Sequence, residues 1–286
     1  MTVAMVDEPM IYREAQRKMI HVRASAMAGL FDCAYRFEAI HILKMRMPPS
    51  PRMVLGTAIH RSTAHFDQAR MDRNTFIRPD DSAGLLVDHL QHPGEDVVWD
   101  SDDITKRDAE RIGLTLHGKY CAHFSPQYDF AAVELDLGTL DIDVPEQGVT
   151  VRITGTLDRS RARHDSRGLG ITDLKTGVRA ATKDGRATVK GHGIQVGLYE
   201  LLYERATQQR ITAPAEILGL GTSQQTPIGR SEIATAKRQV LGDHATPSLI
   251  EMVADTLRSG LFRPNPQSRV CGPKYCPRWS TCKFHE

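Results

Sequence analysis

The sequence predicts an α/β fold in which a central mixed sheet is flanked by helices. Two alternating, β-branched runs at 149–163 and 169–175 flank a short polar segment and predict a β-hairpin. A further alternating run at 131–144 precedes the hairpin, and an apolar run at 215–221 follows a helical pattern at 191–206. Antiparallel strands followed by a helix and another strand are typical of a mixed sheet with helical layers.

The remaining helices are predicted from apolar spacing near 3.6 residues. Ser25 is a plausible N-cap for a helix at 26–43, and the proline-rich stretch 47–51 ends it and acts as a linker. Further helical patterns cover 54–70, 103–123, 231–241 and 247–260. Residues 1–24 are expected to be a partly ordered lead-in, and 71–100 an irregular connection or insertion.

Composition indicates a soluble globular protein with one large core, or a core with a small appendage. The chain has 286 residues, of which 40% are hydrophobic and 25% charged. It contains no run near the ~20 apolar residues that cross a bilayer, and its N-terminus lacks the apolar segment of a secretory signal. We therefore expect a cytoplasmic protein with no membrane partner, whose cysteines are metal ligands or free thiols.

The net charge of +2 is too small to mark the whole chain as a nucleic-acid binder. Any basic surface for DNA must therefore be local. One candidate is the group of arginines around the hairpin: Arg159, Arg161, Arg163 and Arg167.

The hairpin carries the strongest candidate site. If its turn is centred between Asp165 and Ser166, Asp158 and Asp173 lie opposite each other on adjacent strands. Lys175 lies two residues beyond Asp173 and therefore points to the same face. Two acids and an ammonium suit a hard cation beside a phosphate. The alternative is a solvated surface ion cluster.

Other side chains could join this site. His60 and His65 lie on the helix at 54–70, and spacing does not choose between them in a chain with 12 histidines. Glu134 is either structural or a neighbour of the acidic pair. Gln195 and Tyr199 are four residues apart on a helix and project together, although a surface residue and a core edge would explain them equally.

The C-terminal cysteines indicate a metal site, because Cys271, Cys276 and Cys282 lie close together in the sequence of a cytoplasmic protein. A fourth ligand decides between an iron–sulfur cluster and zinc. Cys33 taken alone is a small buried hydrophobe, and Cys121 is best explained as a structural thiol. The candidates for the fourth ligand are Cys33, His285 and Cys121.

Six features in a fixed order resemble the PD-(D/E)XK nuclease superfamily, and within it the RecB-like exonucleases that carry an iron–sulfur cluster, including CRISPR-associated and phage-encoded members. The resemblance runs from Ser25 to Cys282. Its features are the cysteine-bearing helix at 25–37, GTAIH with His60, GTLDR with Asp158, the triplet Asp173-Leu174-Lys175, the pair Gln195 and Tyr199, and the terminal cysteines.

The resemblance implies a restriction-endonuclease-like core at about 52–225 within one domain spanning 1–286. It also implies that end segments at about 25–46 and 261–286 are joined by a cysteine-ligated 4Fe–4S cluster. The family commonly places two residues between the first two C-terminal cysteines, whereas here there are four, 272–275, so zinc stays the alternative to iron. The implied cluster ligands are Cys33, Cys271, Cys276 and Cys282.

Phosphodiester hydrolysis needs an activated water and a stabiliser of developing charge, which Mg²⁺ or Mn²⁺ supplies. Asp158 and Asp173 are suitable oxygen ligands. The resemblance adds the imidazole of His60, which favours manganese, and the backbone carbonyl of Leu174. Lys175 would orient water or neutralise the transition state. By resemblance, Gln195 and Tyr199 would position the strand and the scissile phosphate.

The expected function is metal-dependent DNA cleavage, most simply as an exonuclease on single-stranded ends. One alternative is a zinc- or cluster-stapled DNA-binding module that no longer cuts. Another is a flap or junction endonuclease, whose substrates the segment 71–100 could gate. DNA is the expected partner, and the resemblance leaves open a homo-oligomer or a recombination or replication protein.

Overall fold

The computed structural model describes residues 18–72, 75–99, 103–165, 168–234, 236–243 and 245–285. This part of the chain forms a six-stranded mixed sheet with helices on both faces, which confirms the predicted α/β class. The strands are β1 Lys18–Arg23, β2 Tyr128–Val144, β3 Val149–Arg163, β4 Leu169–Gly177, β5 Ala215–Gly221 and β6 Ile228–Ile233.

The longer helices are α1 Ala24–Asp32, α2 Ala34–Phe37, α3 Pro51–Met71, α4 Pro79–Gln91, α5 Lys106–Lys119, α6 Gly193–Thr207, α7 Ala236–Leu241 and α8 Leu249–Ser259. One-turn π-helical segments extend α2 over Glu38–Ile42 and α5 over Tyr120–Phe124. No helix in the described ranges is long and apolar enough to cross a membrane.

The long strand β3 organises the sheet. Antiparallel β2 borders it along almost its whole length on one side. On the other side, parallel β1 pairs with its first half and antiparallel β4 with its second half. From β4 the sheet continues through parallel β5 to antiparallel β6.

Both faces of the sheet are covered by apolar layers. One cluster packs α1, α6 and α8 against β1 and β3. The other packs α3, α4 and α5 against β4 and β5. Strand β5 divides its side chains between the two clusters and is buried along its whole length, as a continuous apolar run predicts.

The hairpin register agrees with the prediction, because Arg159 pairs with Thr172 and Ala162 pairs with Leu169. These pairs require a turn centred between residues 165 and 166. Ser166 and Arg167 lie outside the described residues.

Three arginines of the predicted basic surface are instead structural. Arg159 and Arg161 are each 1% exposed. Arg159 pairs with Asp67, and Arg161 and Arg163 pair with Glu216. The prediction of a DNA-facing arginine group was therefore wrong for these residues, because buried acids on α3 and β5 neutralise them.

Several predicted elements differ from the structure. The lead-in at 1–24 contains β1 at 18–23, and residues 1–17 lie outside the described part. The helix predicted at 26–43 begins at Ala24, with Arg23 rather than Ser25 as its N-cap, and is interrupted by extended backbone at Cys33. The connection at 71–100 contains α4, and the helix predicted at 231–241 begins with the last residues of β6.

Candidate active site

Three carboxylates from three adjacent strands meet at the centre of the sheet. The β2–β3 register places Glu134 opposite Asp158, because the residues on either side of Glu134, 133 and 135, pair with 159 and 157. The next step of the β3–β4 register places Asp158 opposite Asp173. Side chains directly opposite on neighbouring strands share a face. The sheet therefore aligns Glu134, Asp158 and Asp173 across β2, β3 and β4.

Glu134 has an unusual backbone. Its φ of +49° lies in the left-handed region, and the pairing of β2 with β3 shifts register on both sides of it. A non-glycine residue in this region costs about 1–3 kcal/mol and is over-represented at functional sites. Burial and the neighbouring Asp158 carboxylate raise the pKa of Glu134. The sequence could not reveal this conformation, because nothing in the alternation of β2 marks a residue with positive φ.

His60 enters the site from α3. Its Nδ1 lies 3.7 Å from Asp158 Oδ2. Ligand atoms of His60, Glu134 and Asp158 all lie within 4.8 Å of one another. Burial lowers the pKa of His60, against the opposing effect of Asp158, so the neutral imidazole that binds metals is favoured. His65 lies in the same groove but outside this group.

The Asp158 carboxylate is fixed across the hairpin. Its Oδ2 accepts a hydrogen bond of 2.8 Å from the backbone N–H of Leu174. The Leu174 backbone also acts to raise the pKa of His60. The carbonyl of Leu174, which the sequence predicts as a further metal ligand, belongs to this same backbone.

Asp173 and Lys175 form the buried end of the site. Asp173 is 1% exposed, and Lys175 Nζ lies 2.6 Å from its Oδ2. Burial raises the pKa of Asp173 to about 7, although Lys175 opposes this change. The carboxylate is thus held where its charge is disfavoured unless further positive charge is close.

Gln195 links this pair to Tyr199. Lys175 Nζ donates to Gln195 Oε1 at 2.9 Å. Gln195 Nε2 donates to Tyr199 Oη at 2.9 Å and more weakly to Asp173 Oδ1 at 3.4 Å. Burial raises the pKa of Tyr199 to about 12, so its hydroxyl stays protonated at neutral pH. The structure therefore brings together every side chain that the sequence proposed for the nuclease site.

A second layer, which the sequence reading missed, supports the acids. Arg159 donates to Asp67 Oδ2 at 2.6 Å and to Glu134 Oε1 at 3.2 Å, and also to the Asp158 carbonyl. Asp67 lies on α3 and is completely buried. Its position on the apolar face of a helix was the available signal, because an acid there needs a buried partner.

The donor set suits a hard divalent cation. Carboxylate oxygens, a backbone carbonyl and one imidazole are ligands that Mg²⁺ and Mn²⁺ accept. Asp173 Oδ2 is buried and lies 2.6 Å from Lys175 Nζ, so a metal ion that binds this oxygen would share it with that ammonium.

His60 and Glu134 line a groove of about 1200 Å³. Strands and helices from distant parts of the sequence form its walls, including α4 residues Leu85 and His89. Its basic side chains are Arg23, Arg52, Arg61 and Lys274. The groove is large enough for an extended polymer segment, and its cations suit a polyanion.

Four cysteines line one cavity near the C-terminal end of α1. Cys33 from the break between α1 and α2 lines one small cavity with the three C-terminal cysteines. Burial and its neighbouring cysteines raise the pKa of Cys271. Cys121 lies elsewhere, beside His117, and burial raises its pKa to about 12. His285 stacks on Trp279 with ring centroids 3.9 Å apart.

Direct contacts also join the tail to the N-terminal helices. Asn265 donates to the Asp32 carbonyl at 2.8 Å, and Arg278 pairs with Glu38 at 2.8 Å. The Arg278 guanidinium lies over the Tyr35 ring, 3.9 Å from its centroid. These contacts join the C-terminal tail to the helical segments that follow β1.

Comparison with known proteins gives a family match over most of the chain. A family profile described as "PD-(D/E)XK nuclease superfamily" matches residues 22–283. No curated protein sequence matches at a significant level. Among solved structures, "Putative exonuclease" from Eubacterium rectale is 14% identical, with 92% of this chain and 90% of that chain covered and a TM-score of 0.48. SSO0001 is also 14% identical, with 92% and 85% covered and a TM-score of 0.40. From the extent of the profile match, the chain belongs to the PD-(D/E)XK nuclease superfamily.

Proposed function

We propose that this protein is a Mg²⁺- or Mn²⁺-dependent DNA exonuclease that hydrolyses phosphodiester bonds at single-stranded ends. Membership of the superfamily implies a nuclease, hence a hydrolase acting on DNA. The observation that carries the proposal is the alignment of three carboxylates with His60 and Lys175 beside a groove with basic walls.

The proposed cation ligands are Asp158, Asp173, His60 and the Leu174 carbonyl, with Glu134 added from its place within 4.8 Å of His60 and Asp158. Such an ion supplies Lewis acidity and lowers the pKa of bound water. Glu134 and Asp158 are fixed by Arg159 and by the Leu174 N–H, so their oxygens are preorganised.

Lys175 is the proposed stabiliser of negative charge on the phosphate. Its ammonium is oriented by Gln195, and Gln195 is in turn fixed by the Tyr199 hydroxyl. A positioned cation in a partly buried site stabilises developing charge at little reorganisation cost. Gln195 and Tyr199 are therefore proposed to position both Lys175 and the strand.

We further propose a structural 4Fe–4S cluster held by the four cysteines that line the small cavity. The support is their shared cavity, which brings one cysteine from the break after α1 to three from the C-terminal tail. A cluster of this kind is held by four cysteine thiolates. Tetrahedral zinc is the alternative for the same ligands.

The proposal extends to the organisation of the chain. One nuclease domain would span 1–286, with its core at about 52–225 and cluster-binding ends at about 25–46 and 261–286. A reducing cytoplasm would keep the thiols available for the cluster.

A flap or junction endonuclease is the second candidate. It is favoured by α4, because Leu85, Asp88 and His89 from the segment 71–100 line the groove and could contact a branched substrate. The non-cutting binding module has less support, since the acids and Lys175 of a catalytic site lie together.

The test uses anaerobically purified protein with Mn²⁺ and matched single-stranded DNA in linear and circular form. An exonuclease shortens the end-labelled linear strand and leaves the circle intact. Cleavage of the circle or of a flap substrate would favour the endonuclease. Binding of both DNAs without cleavage would favour the binding module.

A further inference from the structure

The turn at 271–276, which contains the first two C-terminal cysteines, contributes residues to both the cysteine cavity and the groove. It forms a tight turn in which the Gly272 carbonyl accepts hydrogen bonds from the N–H groups of Tyr275, at 3.1 Å, and Cys276, at 2.9 Å. Cys271 and Cys276 line the cysteine cavity. Lys274 and Tyr275, between them, line the groove that holds His60 and Glu134.

Tyr275 is presented to the groove from a fixed backbone. The Arg36 guanidinium donates a hydrogen bond of 2.9 Å to its carbonyl oxygen. The residue is nevertheless 48% exposed, and it lines the groove. Part of its aromatic side chain is therefore open to a planar group that enters the groove.

Lys274 adds positive charge beside this ring. Its Nζ lies 2.7 Å from Asp103 Oδ2, while Arg52 Nε lies 2.7 Å from Oδ1 of the same carboxylate. Two cations share one acid, so this part of the wall keeps a net positive charge. The ammonium of Lys274, whose side chain is half exposed, can contact a phosphate without breaking a buried ion pair.

An aromatic ring next to a cation is the arrangement with which proteins bind unpaired nucleic acid, since the base stacks and the phosphate meets the charge. We propose that Tyr275 and Lys274 bind one nucleotide of a single-stranded DNA segment in the groove that leads to the acidic site. A paired base is already stacked on its neighbours and cannot use the ring, so the contact selects single strands. This inference rests on the proposed function and specifies its substrate.

The test measures equilibrium binding of the full-length, iron-loaded protein to fluorescein-labelled oligodeoxythymidylate in EDTA. Tyr275→Ala should weaken binding about tenfold or more, the usual effect of losing one base-stacking aromatic. Tyr275→Trp should bind like the wild type. The matched control is Phe76→Ala, which removes another exposed aromatic, 88% exposed and outside the groove.

An abasic oligonucleotide separates stacking from a merely structural effect. It should weaken the wild type strongly but Tyr275→Ala much less, because the variant has already lost the base contact. Lys274→Gln should weaken both oligonucleotides alike and reduce the salt dependence of binding. Iron content and thermal unfolding of each variant establish that the turn and the cysteine site are intact.

The inference is overturned if Tyr275→Ala binds single strands like the wild type, or if base removal weakens both proteins by the same factor. Tyr275→Trp that binds as poorly as Tyr275→Ala would also overturn it. In these cases wild-type cleavage would leave the proposed function standing. A wild-type protein that neither binds nor cuts DNA would contradict both.

Discussion

At the scale of single residues, Asp173 is a buried carboxyl group that is suited to binding a cation. Its carboxylate is buried in the sheet, yet among the described residues it contacts one ammonium and one weakly placed amide. The pKa of about 7 means that much of the carboxyl is protonated near neutral pH without further positive charge. A divalent ion would favour the ionised form, so this residue couples metal binding to the loss of a proton.

The buried acid should cost stability as pH rises. Its pKa is about 7 in the folded protein and near 3.8 when unfolded, so between these values the folded state holds more protons. Stability from this group is highest at low pH and falls as pH rises towards 7. We therefore expect Asp173→Asn to raise Tm over the wild type more at pH 8 than at pH 5. Metal-free thermal unfolding at both pH values checks this, and an equal difference at both would contradict it.

Sequence and structure agree closely for this group of residues. The positions of Asp158, Asp173 and Lys175 follow from strand alternation and a symmetric turn, which are local properties of the chain. Glu134 kept two interpretations and Asp67 was not assigned, because their roles depend on a left-handed backbone conformation and on the packing of α3 against the sheet. Such contacts join residues far apart in sequence and leave no periodic signal.

At the scale of elements, α3 matters most because it brings His60 to the strands. The helix can approach β4 closely only where Gly56 lies against Thr176. A Cβ at Gly56 would be 2.6 Å from Thr176 Oγ1. His60 lies one turn further along the same face of the helix. The distance between α3 and β4 therefore sets the distance between the imidazole and the acids.

Gly56→Ala should push α3 away from β4 and weaken Mn²⁺ binding about tenfold, because one ligand leaves its place. Calorimetric titration measures the effect. Gly84→Ala in α4 is the matched control, since its added Cβ meets nothing within 4 Å. The double variant Gly56→Ala/Thr176→Ala should bind Mn²⁺ again like the wild type. Without Oγ1, the nearest atom to the added Cβ is the Cβ of residue 176, 3.7 Å away. Unchanged Mn²⁺ affinity in Gly56→Ala would refute this explanation.

The buried ion pair between α3 and β3 gives a second prediction. Arg159→Met should lower the free energy of unfolding by about 3–5 kcal/mol, because Asp67 is left as an uncompensated buried charge. Asp67→Asn combined with Arg159→Met should lose less, since neither charge then remains. Urea unfolding at pH 7 compares them. A double variant less stable than Arg159→Met would show that the pair is not the source of the effect.

Elements with strong local patterns were predicted well, and those with weak ones were not. The hairpin and β5 have long alternating or apolar runs, and their strands match. The short strand β1 buries only Ile20 and Val22, too few to be distinguished from a disordered lead-in. The start of α4 had usable signals, because Pro79 is its first residue and Asp81 accepts from the Arg78 N–H at 2.9 Å.

At the scale of the whole molecule, the two ends of the described chain meet beside α1 and carry the four cysteines. Hydrogen bonds and an ion pair already join them, so the proposed cluster would reinforce an existing contact. Through the turn at 272–275 this contact is continuous with one wall of the groove. The turn therefore contributes residues both to the cysteine cavity and to the groove that holds His60 and Glu134.

Cys33→Ser should abolish bound iron and sulfide, expected at about four each per chain, because one thiolate ligand is lost. It should also lower Tm while the tail contacts keep the protein folded. Iron, sulfide and zinc analysis after anaerobic purification measures this. Cys121→Ala is the control and should retain the metal, since Cys121 lies against His117 away from the cavity. Full iron content in Cys33→Ser would contradict the proposed ligand set.

The central claim is that the aligned acids form a metal-dependent nuclease site. The most direct measurement compares wild type and Asp173→Ala for Mn²⁺-dependent loss of label from end-labelled single-stranded DNA. DNA binding and the absorbance of the proposed cluster are recorded on the same samples. We expect wild-type cleavage that EDTA stops, and an Asp173→Ala variant that binds DNA with unchanged absorbance but does not cut. Cleavage retained by Asp173→Ala would contradict the assignment of the site.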